Sequence, residues 1–342
     1  MNRTLGYAKS RAFSLVLFAM LGIGSVSADD PYSTISAAAR EYVIDNQPGD
    51  LAPDNIEEWQ QVSGAIGEPG VLTEADAAVV AASGATVTTL KIAETTHLLI
   101  TPRSNGGTKT DRIIIYVHGG AYTLARPEIV VGPFTKIATL TGAPVIGLRY
   151  PMAWQAARPA QSDRVLDVYR EILKTHSPRH IVMVGDSAGG GLIMTSVLRL
   201  RDEGLPMPAA LGLISPWADL SKTGTSLYTL ADGGDPIIDW DKSLAPSAKL
   251  YAGDAALTDP AVSPLYGDFN KGFPPSYIST GTRDLFLSHC ARLQRVLTDA
   301  GVANELFVYE GMWHVFQQDF SLPETEAAWQ DLVAFLEQYW AR

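Results

Sequence analysis

Short, continuous apolar runs alternate with amphipathic segments from about residue 85 to the end of the chain. The runs IIIYV, APVIGL, HIVMV and AALGLI show no polar alternation, which is typical of parallel strands that are covered on both faces. Segments between them, such as SDRVLDVYREILKTH, have the periodicity of helices. The alternation predicts an α/β fold with a mostly parallel central sheet and helices on both of its faces.

One long stretch interrupts this alternation. Residues 218–272 have no strand pattern and contain many turns. We interpret about 218–258 as an insertion over the carboxyl edge of the sheet, where open α/β folds bind ligands. Residues 29–84 include the polar helical pieces ISAAAREYVI and NIEEWQQV, and we expect them to join the insertion in a helical cap. The main domain is then 85–342.

The first 28 residues have the pattern of a secretory signal peptide. Three basic residues and no acidic one precede an uncharged apolar segment, and Val26-Ser27-Ala28 comes directly before Asp29. This pattern predicts cleavage after Ala28 and export to a periplasm or the medium, with no stable membrane insertion afterwards. The alternative is an uncleaved anchor that tethers the protein to a membrane.

The charge of the chain argues against nucleic acid as a partner. Its 37 acidic and 26 basic residues give a formal net charge of -11, and the basic residues form no cluster, whereas phosphate binding needs one. Cys290 is the only cysteine, so an intrachain disulfide is impossible. We expect it to be a buried thiol rather than a nucleophile.

The stretch MVGDSAGGG places Ser187 between glycines, immediately after a predicted strand and before a predicted helix. It fits the pattern G-x-S-x-G, in which a sharp strand-to-helix turn exposes a serine hydroxyl above the sheet. Five residues alone are a weak signal, and a plain tight turn is the other interpretation. The strand–turn–helix context favours a nucleophilic serine.

A nucleophilic serine needs a base, and the chain has six histidines. Only His118 and His314 follow strands at the edge that would carry Ser187. The chain order serine, acid, histidine favours His314, which follows the last strand. His289 is expected to begin a helix in contact with solvent. Asp284, after the strand SYISTGTR, is the candidate acid, whereas Asp235, Asp239 and Asp241 fall in the insertion and Asp259 in a turn.

The third requirement is a set of donors for a developing oxyanion. The stretch YVHGGAYTL follows another strand end and supplies the backbone N–H groups of Gly119, Gly120 and Ala121. The N–H of Ala188, directly after the serine, would add a further donor. A glycine turn without chemistry is the other interpretation of HGGA, and its combination with the Ser187 turn disfavours it.

With these residues in place, the chain resembles the bacterial hormone-sensitive-lipase-like α/β-hydrolases, the family IV carboxylesterases. The likeness covers HGGAY, GDSAGGG, SPWADLS, DPAVSPLY, GTRDLFLSHCARL and YEGMWHVFQ. It implies an α/β-hydrolase fold with a helical cap, catalysis by Ser187, Asp284 and His314, and no cofactor or metal. It also implies an oxyanion hole of Gly120, Ala121 and Ala188, with His118 and Gly119 in the oxyanion loop.

Two segments depart from the family pattern. Ala121 replaces the last glycine of the usual H-G-G-G, and its backbone donor survives provided that the position does not need a positive φ. RYPMAWQ replaces the usual L-A-P-E stretch. Nearby aromatic residues would shape a substrate pocket or simply pack in the core: Tyr122, Trp154, Trp217, Phe286 and Trp313.

The resemblance implies hydrolysis of short- to medium-chain carboxylic esters through an acyl-enzyme, with a small-molecule ester as substrate. Lactones are an alternative, because they are cyclic esters that need the same groups. A non-catalytic binding protein on a hydrolase fold is a second alternative, although such proteins usually lack a member of the triad. The sequence carries no signal for an oligomeric state.

Overall fold

The computed structural model describes residues 31–50, 53, 55–65, 71–103 and 111–341. The predicted signal peptide, residues 1–28, lies outside this described part. The chain from Thr34 onward forms one compact unit. Within the described residues, no helix is both long and apolar enough to cross a membrane.

A single sheet of eight strands runs through the unit. The strands are β1 (Thr86–Ile92), β2 (Thr95–Thr101), β3 (Ile113–Val117), β4 (Val145–Leu148), β5 (Ile181–Asp186), β6 (Ala210–Ile214), β7 (Ser276–Gly281) and β8 (Asn304–Tyr309). Their order is β1-β2-β4-β3-β5-β6-β7-β8. β2 is antiparallel to β1 and β4, and every other pair is parallel. The predicted α/β fold with a mostly parallel sheet is confirmed.

Helices cover both faces of this sheet. They are α1 (Ala37–Asp45), α2 (Ile56–Ala65), α3 (Glu74–Ser83), α4 (Val131–Thr141), α5 (Ala160–Ile172), α6 (Ala188–Asp202), α7 (Ser226–Thr229), α8 (Ala245–Ala252), α9 (Leu287–Asp299) and α10 (Pro323–Tyr339). Successive residues of the fully buried β3 point to opposite faces. Ile113, Ile115 and Val117 share an apolar cluster with α5, α6 and α9, whereas Ile114 and Tyr116 share one with α4 and α10. The continuous apolar run in the sequence is thus explained by two separate cores.

The two segments predicted to form a cap both contain helices. Helices α1, α2 and α3 lie in the first segment, and α7 and α8 lie in the second, with a π-helical turn at Trp240–Leu244 before α8. Helix α1 is fixed to the C-terminal part of the chain, because Ser36 at its N-cap bonds through its backbone N–H and its hydroxyl to the Glu324 carboxylate of α10.

The parallel strands direct four loops to one edge of the sheet. Strands β3, β5, β7 and β8 run in the same direction and end at Val117, Asp186, Gly281 and Tyr309. The segments that follow these strands contain every residue predicted for the triad, the oxyanion hole and the oxyanion loop. The topology therefore brings these residues together, although they are up to 196 positions apart (118 to 314).

Candidate active site

Ser187 occupies a strained turn between β5 and α6. Its backbone has φ 52° and ψ −124°, a combination that a non-glycine residue adopts only where surrounding contacts enforce it. The Ser187 N–H donates to the Ile214 carbonyl at 2.9 Å, and its own carbonyl accepts from Trp217 N–H at 2.8 Å. These bonds to β6 and the loop after it hold the turn in place.

The glycines around Ser187 are required by close backbone approach. A Cβ on Gly189 would overlap the carbonyl oxygens of Val117 and His118, and one on Gly185 would lie 2.8 Å from the Val117 oxygen. Any side chain at Gly189 would therefore force α6 away from the end of β3. The glycines of the G-x-S-x-G pattern therefore have a steric cause.

The structure places the three candidate triad residues in one chain of hydrogen bonds. The Ser187 hydroxyl lies 2.8 Å from Nε2 of His314, and Nδ1 of His314 lies 3.1 Å from Oδ1 of Asp284. Because a carboxylate can only accept, Nδ1 carries the proton and Nε2 is left to accept from the serine. Asp284 also accepts from Phe286 N–H and from the Thr280 hydroxyl, each at 2.9 Å.

Electrostatics favour the charged forms of the His314–Asp284 pair. Burial alone would lower the pKa of His314, but the charge and hydrogen bond of Asp284, helped by Asp235 and Asp186, raise it above its ordinary value. Burial would raise the pKa of Asp284, but the charge and hydrogen bond of His314 lower it below its ordinary value. An imidazole in this setting accepts a proton readily and holds it beside an ionised carboxylate.

Sequence reasoning placed Asp235 only in the insertion, and the structure brings it to the triad. Its Oδ2 accepts from the backbone N–H of His314 at 3.1 Å and of Leu285 at 3.3 Å. Its Oδ1 accepts from the N–H groups of Ile237 and Ile238. One buried carboxylate thus links the insertion to the two loops that carry Asp284 and His314. No local sequence signal marks it, because its partners are 50 and 79 positions away.

The strap after β3 has left-handed backbone at three successive residues. The φ angles are 100° at Gly120, 52° at Ala121 and 63° at Tyr122. Ala121 was expected to be harmless only if its position did not need a positive φ. The observed φ is positive, so Ala121 adopts a strained conformation here. Among the described residues, none accepts from the N–H of Gly120, Ala121 or Ala188, so these donors remain available to a ligand oxygen.

Buried polar groups hold the start of this strap. Asp186 accepts from Gly119 N–H at 3.0 Å, and the Tyr150 hydroxyl is 2.9 Å and 3.2 Å from the carbonyl oxygens of His118 and Gly119. The His118 ring stacks on Tyr150 and donates from Nδ1 to the Gly119 carbonyl at 2.8 Å. Burial lowers the pKa of His118 to about 4. His118 is therefore a neutral part of the loop, not a base.

Several other expectations from the sequence can be compared with the structure. His289 is fully buried rather than in contact with solvent, because its ring stacks on Phe286 on the inner side of α9. Cys290 is buried, as expected. Four of the five aromatic residues that were named are buried and pack in the interior: Tyr122, Trp217, Phe286 and Trp313. Among the described residues, no three acidic, histidine or cysteine side chains are grouped as metal ligands.

Replacing Asp235 with Asn tests its electrostatic role. The change removes a negative charge beside His314 and keeps one acceptor oxygen, so we expect the pKa of His314 to fall. The imidazole proton and carbon signals of His314, followed by NMR against pH, measure this shift. Asp259→Asn is the matched control, because Asp259 accepts from Ala261 N–H in an exposed turn. An unchanged or higher pKa of His314 in Asp235→Asn would contradict the assignment.

Comparisons with known proteins agree with this geometry. Residues 114–318 match a family described by the alpha/beta hydrolase fold. An acetyl-hydrolase of Streptomyces hygroscopicus is 31% identical over 227 residues, which are 66% of this chain and 75% of that protein.

Two solved structures are also similar. An esterase named E25 superposes with a TM-score of 0.83 at 34% identity, covering 94% of this chain and 99% of the other. An esterase from the bacterial hormone-sensitive lipase family gives a TM-score of 0.75 at 27% identity, covering 90% of this chain and 99% of the other. The chain therefore belongs to the hormone-sensitive-lipase-like carboxylesterases of the α/β-hydrolase fold.

Proposed function

We propose that the protein hydrolyses short- to medium-chain carboxylic esters by acyl transfer through Ser187. The serine oxygen attacks the ester carbonyl carbon while its proton passes to Nε2 of His314. Asp284 stays ionised and stabilises the imidazolium. The carbonyl oxygen becomes an oxyanion, which accepts hydrogen bonds from the N–H groups of Gly120 and Ala121 in the strap and of Ala188 at the start of α6.

The same groups complete the cycle. His314 returns the proton to the leaving alcohol, and the acyl group stays on Ser187 as an ester. A water then attacks this ester, its proton passing to His314, and collapse of the second tetrahedral intermediate releases the carboxylic acid and restores the serine. The observation that carries the proposal is the unbroken chain from the Ser187 hydroxyl through His314 to Asp284, beside backbone donors without partners.

The aromatic core beside the triad supports small acyl groups. Phe286 meets the His314 ring edge to face at 4.8 Å, and Trp217 stacks on Phe286 with ring centres 5.6 Å apart. Tyr122 continues this row and stacks on Tyr251. Because these rings are buried against one another, they fill space beside the imidazole, which favours a short acyl group. The acetyl-hydrolase relative agrees with this preference.

The substrate class is tested with 4-nitrophenyl esters from acetate to palmitate and with a small lactone. We expect kcat/KM to be highest for short chains and to fall by at least about a thousandfold in Ser187→Ala, which loses the nucleophile. Circular dichroism checks that the variant is folded, and a fluorophosphonate probe should label the wild type only. Turnover that survives in folded Ser187→Ala would overturn the nucleophile, and a folded wild type without turnover or labelling would favour a binding protein.

Gly119→Ala tests the oxyanion loop. A Cβ there would overlap the Asp186 carboxylate and lie 2.9 Å from Cβ of Ser187, so the strap must move away from the nucleophile. We expect kcat to fall about a hundredfold, the typical effect of losing one oxyanion donor. Gly49→Ala is the matched control, because a Cβ at Gly49 meets no atom of the described residues within 4 Å. Equal rates in the two variants would argue against the assigned loop.

We also propose that the protein is exported after cleavage of residues 1–28. The basic start, the apolar segment and Val26-Ser27-Ala28 support this. N-terminal sequencing of protein recovered outside the cytoplasm should begin at Asp29. Recovery of the chain with residues 1–28 attached, in the membrane fraction, would instead favour the anchor.

A further inference from the structure

A cavity of about 400 Å³ lies beside the strap, and none of the residues proposed for the triad or the oxyanion hole lines it. Helix α2 of the N-terminal segment forms one wall through Gln60. The opposite wall is the loop after β4, which includes Tyr150 and Trp154. This is the RYPMAWQ segment that departs from the family pattern. One wall of the cavity is therefore a segment in which this sequence departs from the family pattern.

The lining is positively charged although the protein is acidic overall. Three arginines contribute to it, Arg126, Arg149 and Arg164, and none of the described lining residues is acidic. Arg149 is already neutralised, because it pairs with Glu128 and donates from Nε to the Thr96 carbonyl at 3.0 Å. The positive charge that no described carboxylate neutralises therefore lies on Arg126 and Arg164.

Arg126 presents a specific pair of donors. Its Nε and Nη2 atoms are buried, and neither has a hydrogen-bond partner in the described structure. These two nitrogens form the side edge of a guanidinium, whose parallel N–H bonds match the two oxygens of a carboxylate. Nε of Arg164 is also buried without a partner among the described residues, although its Nη1 donates to the Ala93 carbonyl. Buried donors without partners are costly, and because these atoms have almost no accessible surface, the Arg126 side chain must turn toward the cavity to meet a carboxylate.

The rest of the lining indicates what carries the carboxylate. Pro151, Met152 and Trp154 give the cavity an apolar side, and the Trp154 indole is oriented by its bond to the Thr123 carbonyl at 3.0 Å. A ligand that is anionic at one end and apolar elsewhere would satisfy both sides. Such a ligand would also contact Tyr150, whose hydroxyl holds the start of the strap.

We propose that this cavity binds the carboxylate of a small, partly apolar molecule, with Arg126 as its bidentate partner. The carboxylate can belong to the ester substrate itself, so that the protein favours half-esters of dicarboxylic acids, or to a separate carboxylic acid. The first case rests on the proposed ester hydrolysis, and the second does not. Binding at this place would put the anionic end next to the loop that receives the oxyanion.

The substrate arm compares two esters with five-carbon acyl groups, mono-4-nitrophenyl glutarate and 4-nitrophenyl pentanoate. The measured quantity is the ratio of their kcat/KM values, in which the neutral ester is the internal reference. We expect Arg126→Gln to lower this ratio about tenfold, since a charge-assisted bidentate contact is lost. Arg295→Gln, which removes the same charge from an exposed position on α9, should leave the ratio unchanged.

The ligand arm needs no turnover. Ser187→Ala protein is titrated calorimetrically with 3-phenylpropanoate, glutarate and inorganic phosphate, with and without Arg126→Gln. Saturable binding of a carboxylate that Arg126→Gln abolishes supports the site, and an unchanged ester ratio would then assign it to a separate acid. Arg164→Gln serves as a second variant if Arg126→Gln fails to fold.

Three results distinguish failure of the cavity proposal from failure of the proposed hydrolysis. An unchanged ester ratio together with no arginine-dependent binding of either carboxylate overturns the cavity proposal, even if neutral esters are hydrolysed well. Binding of phosphate in preference to both carboxylates would overturn the carboxylate assignment. If the wild type hydrolyses none of the esters but the protein still binds the carboxylate, the proposed hydrolysis is contradicted and the cavity site stays supported.

Discussion

The turn that carries Ser187 brings the start of α6 against the backbone that ends β3. Only a residue without a side chain fits at Gly189, because a Cβ there would overlap the carbonyl oxygens of Val117 and His118. The strap begins at this same point of β3. One steric contact therefore sets the distance between the nucleophile and the donors of the strap. The bond from Gly119 N–H to the Asp186 carboxylate locks the two segments together.

Three buried carboxylates lie near one imidazole at this edge, and their different environments give them different pKa values. Burial raises the pKa of Asp186 to about 6 and that of Asp235 to about 7. Asp284 is buried as well, yet its direct bond to His314 keeps its pKa below the ordinary value. The acid that contacts the imidazole ring is thus the one that stays ionised most easily, while the other two act chiefly as acceptors for backbone N–H groups.

Much of the fold and the site could be predicted from the sequence, because their signals are local. The turn at Ser187 is encoded by neighbouring glycines, and His314 follows a recognisable last strand. Asp235 could not be found in this way, because its role depends on contacts with residues far along the chain. The left-handed φ of Ala121 and the burial of His289 have the same origin. Tertiary packing imposes both, and it overrides the preference of an alanine for negative φ and of a histidine for water.

Both segments that were predicted to form a cap contact the loop that carries His314. Tyr42 of α1 lies flat on Trp313, with ring centres 4.3 Å apart, and Asp235 of the insertion accepts from His314 N–H. Burial and nearby acids raise the pKa of Tyr42 to about 12, so its ring stays neutral in this contact. Ser187, in contrast, is bonded to the backbone beside the central strand β6. Loosening either segment would therefore shift His314 before Ser187, so both segments help to hold the loop that carries the imidazole.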